Sequence, residues 1–216
     1  PYLQNLSHKR PKSPKISAIV PVYNEGKIIV DFIKALFKEL YKISDKVEII
    51  IVDDGSKDDT TVHIQNIKDQ IPFKLVCLSR NFGKERAISA GIDYVDSDLT
   101  LIIDGDFQHP LETIPKLFKK WQEGYDNIYA VRSERKGQPF IIRKLSKLFY
   151  KLNKWVMNID LPENAGDFRI LDRKVIDALK KMTERNRFMK GLYAWVGFAS
   201  IGIPYKVKPR ESGSSK

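Results

Sequence analysis

Disulfides, a membrane span and the two best-known phosphate-binding glycine signatures are all missing from this chain. A single cysteine, Cys77, in 216 residues precludes an intrachain disulfide and agrees with a reducing cytosol. It sits in the apolar run Lys74-Leu75-Val76-Cys77-Leu78 and reads as a small buried hydrophobe. No stretch reaches the ~20 apolar residues that cross a bilayer, and the N-terminus has no cleavable signal pattern. Neither G-x-G-x-x-G nor G-x-x-x-x-G-K-[ST] occurs, so neither the dinucleotide fingerprint nor the P-loop is available. No recognised nucleic-acid motif is present. Histidine is scarce, and of the three only His109 lies near candidate chemistry. Acid is in deficit: 27 Asp and Glu face 38 Lys and Arg, leaving a formal charge of +11, and such an excess wants an anionic partner.

What is present is an alternation of short β-rich and amphipathic runs. Strand patterns cover residues 16–22, 47–52, 74–78, 99–103 and 127–131, and helical patterns cover 27–41, 60–69, 84–95 and 112–122. Beyond these, 172–182 and 187–197 read as helices and 201–207 as a last strand. Alternating β and α segments with short links predict an α/β fold whose mostly parallel sheet carries helices on both faces. In such sheets ligands sit beyond the carboxyl ends of the strands. Pro21-Val22-Tyr23-Asn24-Glu25, Asp53-Asp54 and Asp104-Gly105-Asp106 all fall at strand exits, so they should line one crevice.

The chemistry concentrates in two acidic turns. Leu101-Ile102-Ile103 runs into Asp104-Gly105-Asp106, and residues two apart in an extended segment project to the same side. Asp104 and Asp106 can therefore aim at one point, where a hard cation such as Mg²⁺ or Mn²⁺ is often held by one or two carboxylates, with substrate phosphates completing the shell. A plain turn is the alternative, since Asp and Gly favour turns for backbone reasons alone. The second turn, Asp53-Asp54-Gly55-Ser56, has a glycine suited to a tight bend and a serine suited to capping. Two adjacent carboxylates at a strand exit are not needed for either. Carboxylates with a divalent ion suit a diphosphate that is not wrapped by glycine amides, and a nucleotide sugar fits that description.

Six segments in order carry a family resemblance: Pro21-Val22-Tyr23-Asn24-Glu25, Val52-Asp53-Asp54-Gly55-Ser56, Asn81-Phe82-Gly83-Lys84, Asp104-Gly105-Asp106-Phe107-Gln108, Asn164-Ala165-Gly166-Asp167-Phe168-Arg169 and Ser212-Gly213-Ser214-Ser215-Lys216. Over about residues 16–216 the chain resembles the family 2 glycosyltransferases, and within them the polyprenyl-phosphate glycosyltransferases. The resemblance implies a GT-A fold and an inverting transfer of one sugar, glucose from UDP-glucose foremost, to polyprenyl phosphate. It places residues 21–25, with Tyr23, Asn24 and Glu25, and Asp53 at the base and ribose, and adds Asp54, Lys84 and Asp104 to the nucleotide-binding set. Asp104, Asp106 and Gln108 match the positions that coordinate or orient metal and diphosphate. Asp167 matches the acidic residue near the acceptor and joins Asp106 as a catalytic candidate. Three positions depart from the pattern: Gly105 is commonly Ala, Arg86 replaces a small or apolar residue, and Ser214 replaces a frequent Glu.

A cation placed at the leaving diphosphate stabilises charge that develops in the transition state. A phosphate monoester, with a second pKa of about 6, needs no base near neutral pH, so Asp167 can orient groups rather than take a proton. A lipid phosphate does need cations, and Arg132, Arg135, Arg210 and Lys216 are the candidates. The run 140–156 sets Ile141, Leu145, Leu148, Leu152 and Trp155 on one helical face, with Arg143, Lys144, Lys147, Lys151 and Lys154 and no acid between them. A basic amphipathic helix of this kind suits an anionic headgroup layer, although a core-packing helix with a solvated basic face has the same period. Residues 1–15 read as a basic flexible leader, 16–132 as the nucleotide-sugar and metal half, and 133–216 as the acceptor half, with 133–139 a mobile loop. Relatives commonly continue into transmembrane helices where this sequence stops, so the expectation is the cytosolic-face part of a longer membrane enzyme, with a second copy of the chain among its candidate partners. Two rival readings are a family 2 transferase acting on a saccharide hydroxyl, with Asp167 as general base, and a non-enzymatic anion-binding module.

Overall fold

The computed structural model describes residues 10–133, 165–182 and 188–206. Seven strands form one sheet in the order β3-β2-β1-β4-β6-β5-β7. They are β1 (Ile16–Val22), β2 (Val47–Asp53), β3 (Phe73–Cys77), β4 (Leu99–Ile102), β5 (Asn127–Arg132), β6 (Ala165–Asp172) and β7 (Ser200–Tyr205). The helices are α1 (Ile28–Tyr41), α2 (Thr60–Gln65), α3 (Lys84–Asp93), α4 (Ile114–Gln122), α5 (Arg173–Lys181) and α6 (Met189–Trp195). Only β6 runs against its neighbours, so the expected mostly parallel sheet is what forms.

β1 is buried on both faces, as its apolar sequence, interrupted by Ser17 alone, requires. Ala18, Val20 and Val22 share one core with Ile29, Phe32, Ile33, Leu36 and Leu40 of α1 and Leu117 and Trp121 of α4. Those α1 positions repeat at helical spacing, which puts a single apolar stripe against the sheet. Ile19 points the other way and joins Ile50 and Val52, Ala87, Ile88 and Ile92 of α3, and Val175, Ile176 and Leu179 of α5. The sheet is thus covered on both faces.

Three expectations change. Residues 165–172 form β6, a strand that the alternation of elements did not predict, because an antiparallel strand inserted between β4 and β5 breaks the β-α order. Cys77 is exposed rather than buried, since β3 is an edge strand and its last residue has sheet on one side only. Within the leader, residues 10–15 are anchored. Arg10 donates to the carbonyl oxygens of Trp121 and Tyr125 and to Asp126, its guanidinium lies 4.9 Å over the Trp121 ring, and Pro14 is buried. The basic run 140–156, the loop 134–139, Arg135, Arg210 and Lys216 lie outside the described residues. No helix among the described residues is long and apolar enough to cross a membrane.

Candidate active site

The site is built at the carboxyl ends of β1, β2 and β4, where three loops are stitched together through backbone. Leaving β1, Asn24 and Gly26 take φ of 53° and 51°. The amides of Glu25 and Gly26 donate to Thr60 Oγ1, and Gly26 N also donates to Asp58. Asn24 Oδ1 accepts from Lys57 N. Leaving β2, Gly55 has φ of 70°, and a Cβ there would lie 2.5–2.8 Å from the backbone of Arg80 and Asn81. The second acidic turn thus touches the β3–α3 loop main chain to main chain, a contact open only to glycine.

The two carboxylates of that turn divide the work. Asp53 is buried and accepts from the amide and hydroxyl of Ser56, holding its own turn. Asp54 accepts from Phe82 N at 2.7 Å and Gly83 N at 2.8 Å. It fixes the loop that starts α3 and so delivers Lys84 to the crevice.

The insertion of β6 brings in the third carboxylate. β4 and β6 pair with Ile102 opposite Arg169, and extending that register two residues sets Asp104 opposite Asp167. Lys84 Nζ lies between them, 2.6 Å from Asp104 Oδ1, 2.8 Å from Asp104 Oδ2 and 2.7 Å from Asp167 Oδ2. Burial opposes charge on Asp104 and on Lys84. Even so, the hydrogen bond from His109 and the Lys84 ammonium hold Asp104 well below the usual carboxylate range. Burial alone would depress the Lys84 pKa, but the two carboxylates raise it. The buried Asp167 Oδ1 has no hydrogen-bond partner among the described residues.

Around this centre lies a cleft of about 320 Å³, lined by Pro21, Tyr23, Glu25, Asp54, Lys84, Asp104 and Asp106, among others. The sequence-predicted set is therefore largely brought together. Asn24, Asp53, Gln108, Arg132 and Asp167 are outside the lining, Asp167 meeting it through Lys84. Asp106 Oδ1 accepts from Gln108 N at 3.1 Å. Between these two residues Phe107 takes φ of 57°, an uncommon conformation for an aromatic residue. Its ring is held edge-on to Phe32 at 5.1 Å, so core packing sets the bend that turns Asp106 into the cleft.

His109, read from sequence only as a residue near the chemistry, is buried. Its Nε2 lies 3.3 Å from Asp104 Oδ2 and its Nδ1 2.9 Å from the Tyr205 hydroxyl. The tautomer protonated at Nε2 satisfies both contacts. Arg132 Nε donates to the same Tyr205 hydroxyl at 3.4 Å. A polar chain thus runs from Asp104 through His109 and Tyr205 to Arg132 at the exit of β5. Tyr205 was not legible in the sequence, being one aromatic residue in a terminal strand. Arg169 was quoted in a motif but given no role. It is buried beneath the site, 3.7 Å over the Tyr193 ring, and donates to the Gly166 carbonyl. Burial lowers the Arg169 pKa and raises that of Tyr193.

A divalent cation fits these residues through Asp104 and Asp106, both hard oxygen donors facing one cleft, with Asp104 already engaging a cationic partner in Lys84. Among the described residues no three acidic, His or Cys side chains form a metal cage. The protein supply would be two carboxylates, a pattern that fits Mg²⁺ or Mn²⁺ completed by substrate phosphates.

Solved structures share this architecture. A mannosyltransferase from Pyrobaculum calidifontis, in complex with GDP-Man and Mn²⁺, superposes with a TM-score of 0.63 at 18% identity, over 89% of this chain and 55% of that one. Glucosyl-3-phosphoglycerate synthase from Mycobacterium tuberculosis, in complex with Mn²⁺, UDP and phosphoglyceric acid, superposes at 0.59 and 18% identity, over 93% and 72%. The fold is the GT-A fold of glycosyltransferases. Residues 17–180 match the model of glycosyl transferase family 2, and the chain belongs to that family. Among curated relatives, an uncharacterised glycosyltransferase of Synechocystis sp. is 43% identical over 203 residues, 94% of this chain and 64% of the relative. A prophage bactoprenol glucosyl transferase homolog of Escherichia coli is 42% identical over 205 residues, 94% and 66%. The bactoprenol glucosyl transferase of Shigella phage SfX is 41% identical over 205 residues, 94% and 67%. The chain spans about two thirds of the length of these relatives.

Proposed function

We propose that this protein transfers one sugar, glucose from UDP-glucose foremost, to polyprenyl phosphate with inversion at the anomeric carbon. The observation that carries the reading is the meeting of Asp104, Lys84 and Asp167 at one edge of the cleft. It supports a reading in which Asp104 serves the diphosphate and Asp167 the acceptor, with one ammonium between them. The bactoprenol glucosyl transferase relatives supply the acceptor class.

Pro21, Tyr23, Glu25 and Asp54 line the part of the cleft where the nucleotide would lie. Asp104 and Asp106, with Gln108 beside them, would hold Mg²⁺ or Mn²⁺. The ion supplies positive charge at the leaving diphosphate oxygen. Lys84 adds a second positive charge beside it. An acceptor phosphate oxygen attacks the anomeric carbon, the bond to the diphosphate oxygen breaks, and UDP leaves with that electron pair. One in-line displacement inverts the centre. No proton has to move, because the second ionisation of a phosphate monoester lies at about 6. Arg132, held at the exit of β5 by Tyr205, is the described cation placed to receive the acceptor phosphate, joined in our reading by Arg135, Arg210 and Lys216. The excess of basic charge favours catalysis at an anionic membrane surface, on its cytosolic face.

The test is a screen of labelled UDP-glucose, UDP-galactose, UDP-N-acetylglucosamine and GDP-mannose against polyprenyl phosphate in bilayers. Label should partition into organic solvent with the lipid, most of it from UDP-glucose, and excess chelator should abolish transfer. Asp106→Asn should cut turnover by at least ~10²-fold, as expected when one source of transition-state charge stabilisation is lost. Label recovered only in a water-soluble saccharide would instead support a hydroxyl acceptor. Full turnover in chelator would remove the metal from the reading.

A further inference from the structure

Lys84 makes its closest contacts to the two groups that the proposed reaction needs for other purposes. Its ammonium engages both oxygens of Asp104, at 2.6 and 2.8 Å, and Asp167 Oδ2 at 2.7 Å. Such charge-assisted contacts are the strong ones. Asp104 is also the residue best placed to ligate a divalent cation, and it cannot give the same oxygens fully to both cations. The side chain that stands in the way is not fixed by packing. It is 41% exposed, reaches in from the first residue of α3, and borders the cleft beside Asp104 and Asp106.

We infer that Lys84 is a resident cation of the site: it partly offsets the charges of Asp104 and Asp167 while no donor is bound, and a divalent ion must displace it from Asp104. It then stays paired with Asp167 and turns its charge toward the donor diphosphate. The second half of this inference rests on the nucleotide-sugar reading above, and the first half does not. The exchange keeps a cation beside half-buried Asp104 and buried Asp167 throughout, which matters because an uncompensated buried charge is strongly destabilising. It also makes metal and diphosphate arrive together. The ion alone has to break the Lys84 contact, whereas the ion with a diphosphate gives Lys84 a new anionic partner.

The exchange predicts opposite effects of one substitution. Lys84→Met removes the competing charge and keeps much of the side-chain length. Mn²⁺ binding to the full chain without nucleotide, followed by calorimetry or by the electron paramagnetic resonance of free Mn²⁺, should tighten by about three- to tenfold, the scale of one partly exposed ion pair. UDP binding at saturating Mn²⁺ should weaken by a similar factor. Lys84→Arg, which keeps the charge, should stay close to wild type in the Mn²⁺ measurement. Mn²⁺ should also raise the melting temperature of Lys84→Met more than that of wild type, which covers a variant less stable without metal. Mn²⁺ affinity of Lys84→Met equal to or below that of wild type, or binding detected in neither, would overturn the exchange, because a purely structural lysine lowers both affinities when removed. If wild type takes up Mn²⁺ but shows no affinity for UDP, the donor reading fails while the Mn²⁺ comparison still decides whether Lys84 competes.

Discussion

Single side chains in this site act mostly by holding loops, and the contacts say which losses hurt binding and which hurt folding. Asp58 accepts from Thr60 N, Thr60 Oγ1 and Gly26 N. Its partial burial works against the charged form, but these hydrogen bonds outweigh it and lower the pKa. A carboxylate with a depressed folded pKa contributes stability that is present above its unfolded value, about 3.9, and lost as pH falls through the folded value. Asp58→Ala should therefore cost about 0.5–1 kcal/mol at pH 7, the low end of the net worth of hydrogen bonds at an exposed turn. Urea unfolding should show the gap to wild type closing as the pH is taken below the ordinary Asp range. Asp167 tests the chemistry instead. Its Oδ2 is taken by Lys84 while its buried Oδ1 lacks a hydrogen-bond partner among the described residues, and either an acceptor hydroxyl or a purely positional role would use that oxygen. With a lipid phosphate as nucleophile, Asp167→Asn should lower turnover yet leave a measurable rate. That rate should rise with pH through about 6 as the acceptor ionises. A pH–rate profile at saturating donor and metal checks this. Loss of all transfer at every pH, with donor binding intact, returns Asp167 to general-base duty, which is worth ~10²–10⁴-fold.

Elements show where the sequence spoke clearly and where it did not. β1 matched its predicted bounds, and β2, α1 and α4 came within two residues of theirs, because their apolar periods are long and uninterrupted. The exit carrying Asp53-Asp54 followed from β2, and the exit carrying Asp104-Gly105-Asp106 from β4, expected at 99–103 and found at Leu99–Ile102. β6 is not legible because Gly166, Asp167 and Arg169 interrupt the apolar run that marks the other strands. Phe168 and Ile170 enter one core while Leu171 enters the other, with Asp167 and Arg169 on the Leu171 side. No local pattern states that such a strand inserts between β4 and β5, and that insertion is what sets Asp167 opposite Asp104. The division between Asp53 and Asp54 was equally closed to sequence, since it depends on which carboxylate meets the amides of another loop. The joint between β6 and α5 carries its own prediction. Asp172 accepts from Lys174 N at the start of α5 and from the indole N–H of buried Trp121 at 2.8 Å, and lies 3.2 Å from Arg10. Asp172→Ala removes a helix cap, worth ~1 kcal/mol, and strands a buried donor, worth ~1–3 kcal/mol. Chemical denaturation should report a loss of about 2–4 kcal/mol if the two add, much more than an exposed ion pair supplies.

At the scale of the whole molecule, geometry and charge point to one working surface. β5 and β7 run parallel to β4 through the reversed β6, so Arg132 and Tyr205 emerge at the same sheet edge as Asp104, and the polar chain through His109 ties the two ends of that edge together. A lipid-borne acceptor has to reach this edge from a bilayer, and the formal charge of +11 favours an anionic one. Residues 140–156 carry five basic residues and no acid, interleaved with Leu148, Phe149 and Trp155. Basic residues near an anionic leaflet contribute about 1 kcal/mol each. Reversing Lys147 and Lys151 to Glu should therefore cost at least ~2 kcal/mol of vesicle affinity, roughly 30-fold. The attraction acts across water and is screened beyond about 8 Å at physiological ionic strength, so wild-type binding should fall as salt rises, leaving a residue due to apolar insertion. Sedimentation with phosphatidylglycerol-containing vesicles at low and high salt measures both effects. Neutral phosphatidylcholine vesicles isolate the apolar part. Equal binding by wild type and the double variant at both salt concentrations would mean that this segment packs within the protein rather than against lipid. The acceptor would then have to be delivered to the Arg132 edge without the help of this charge.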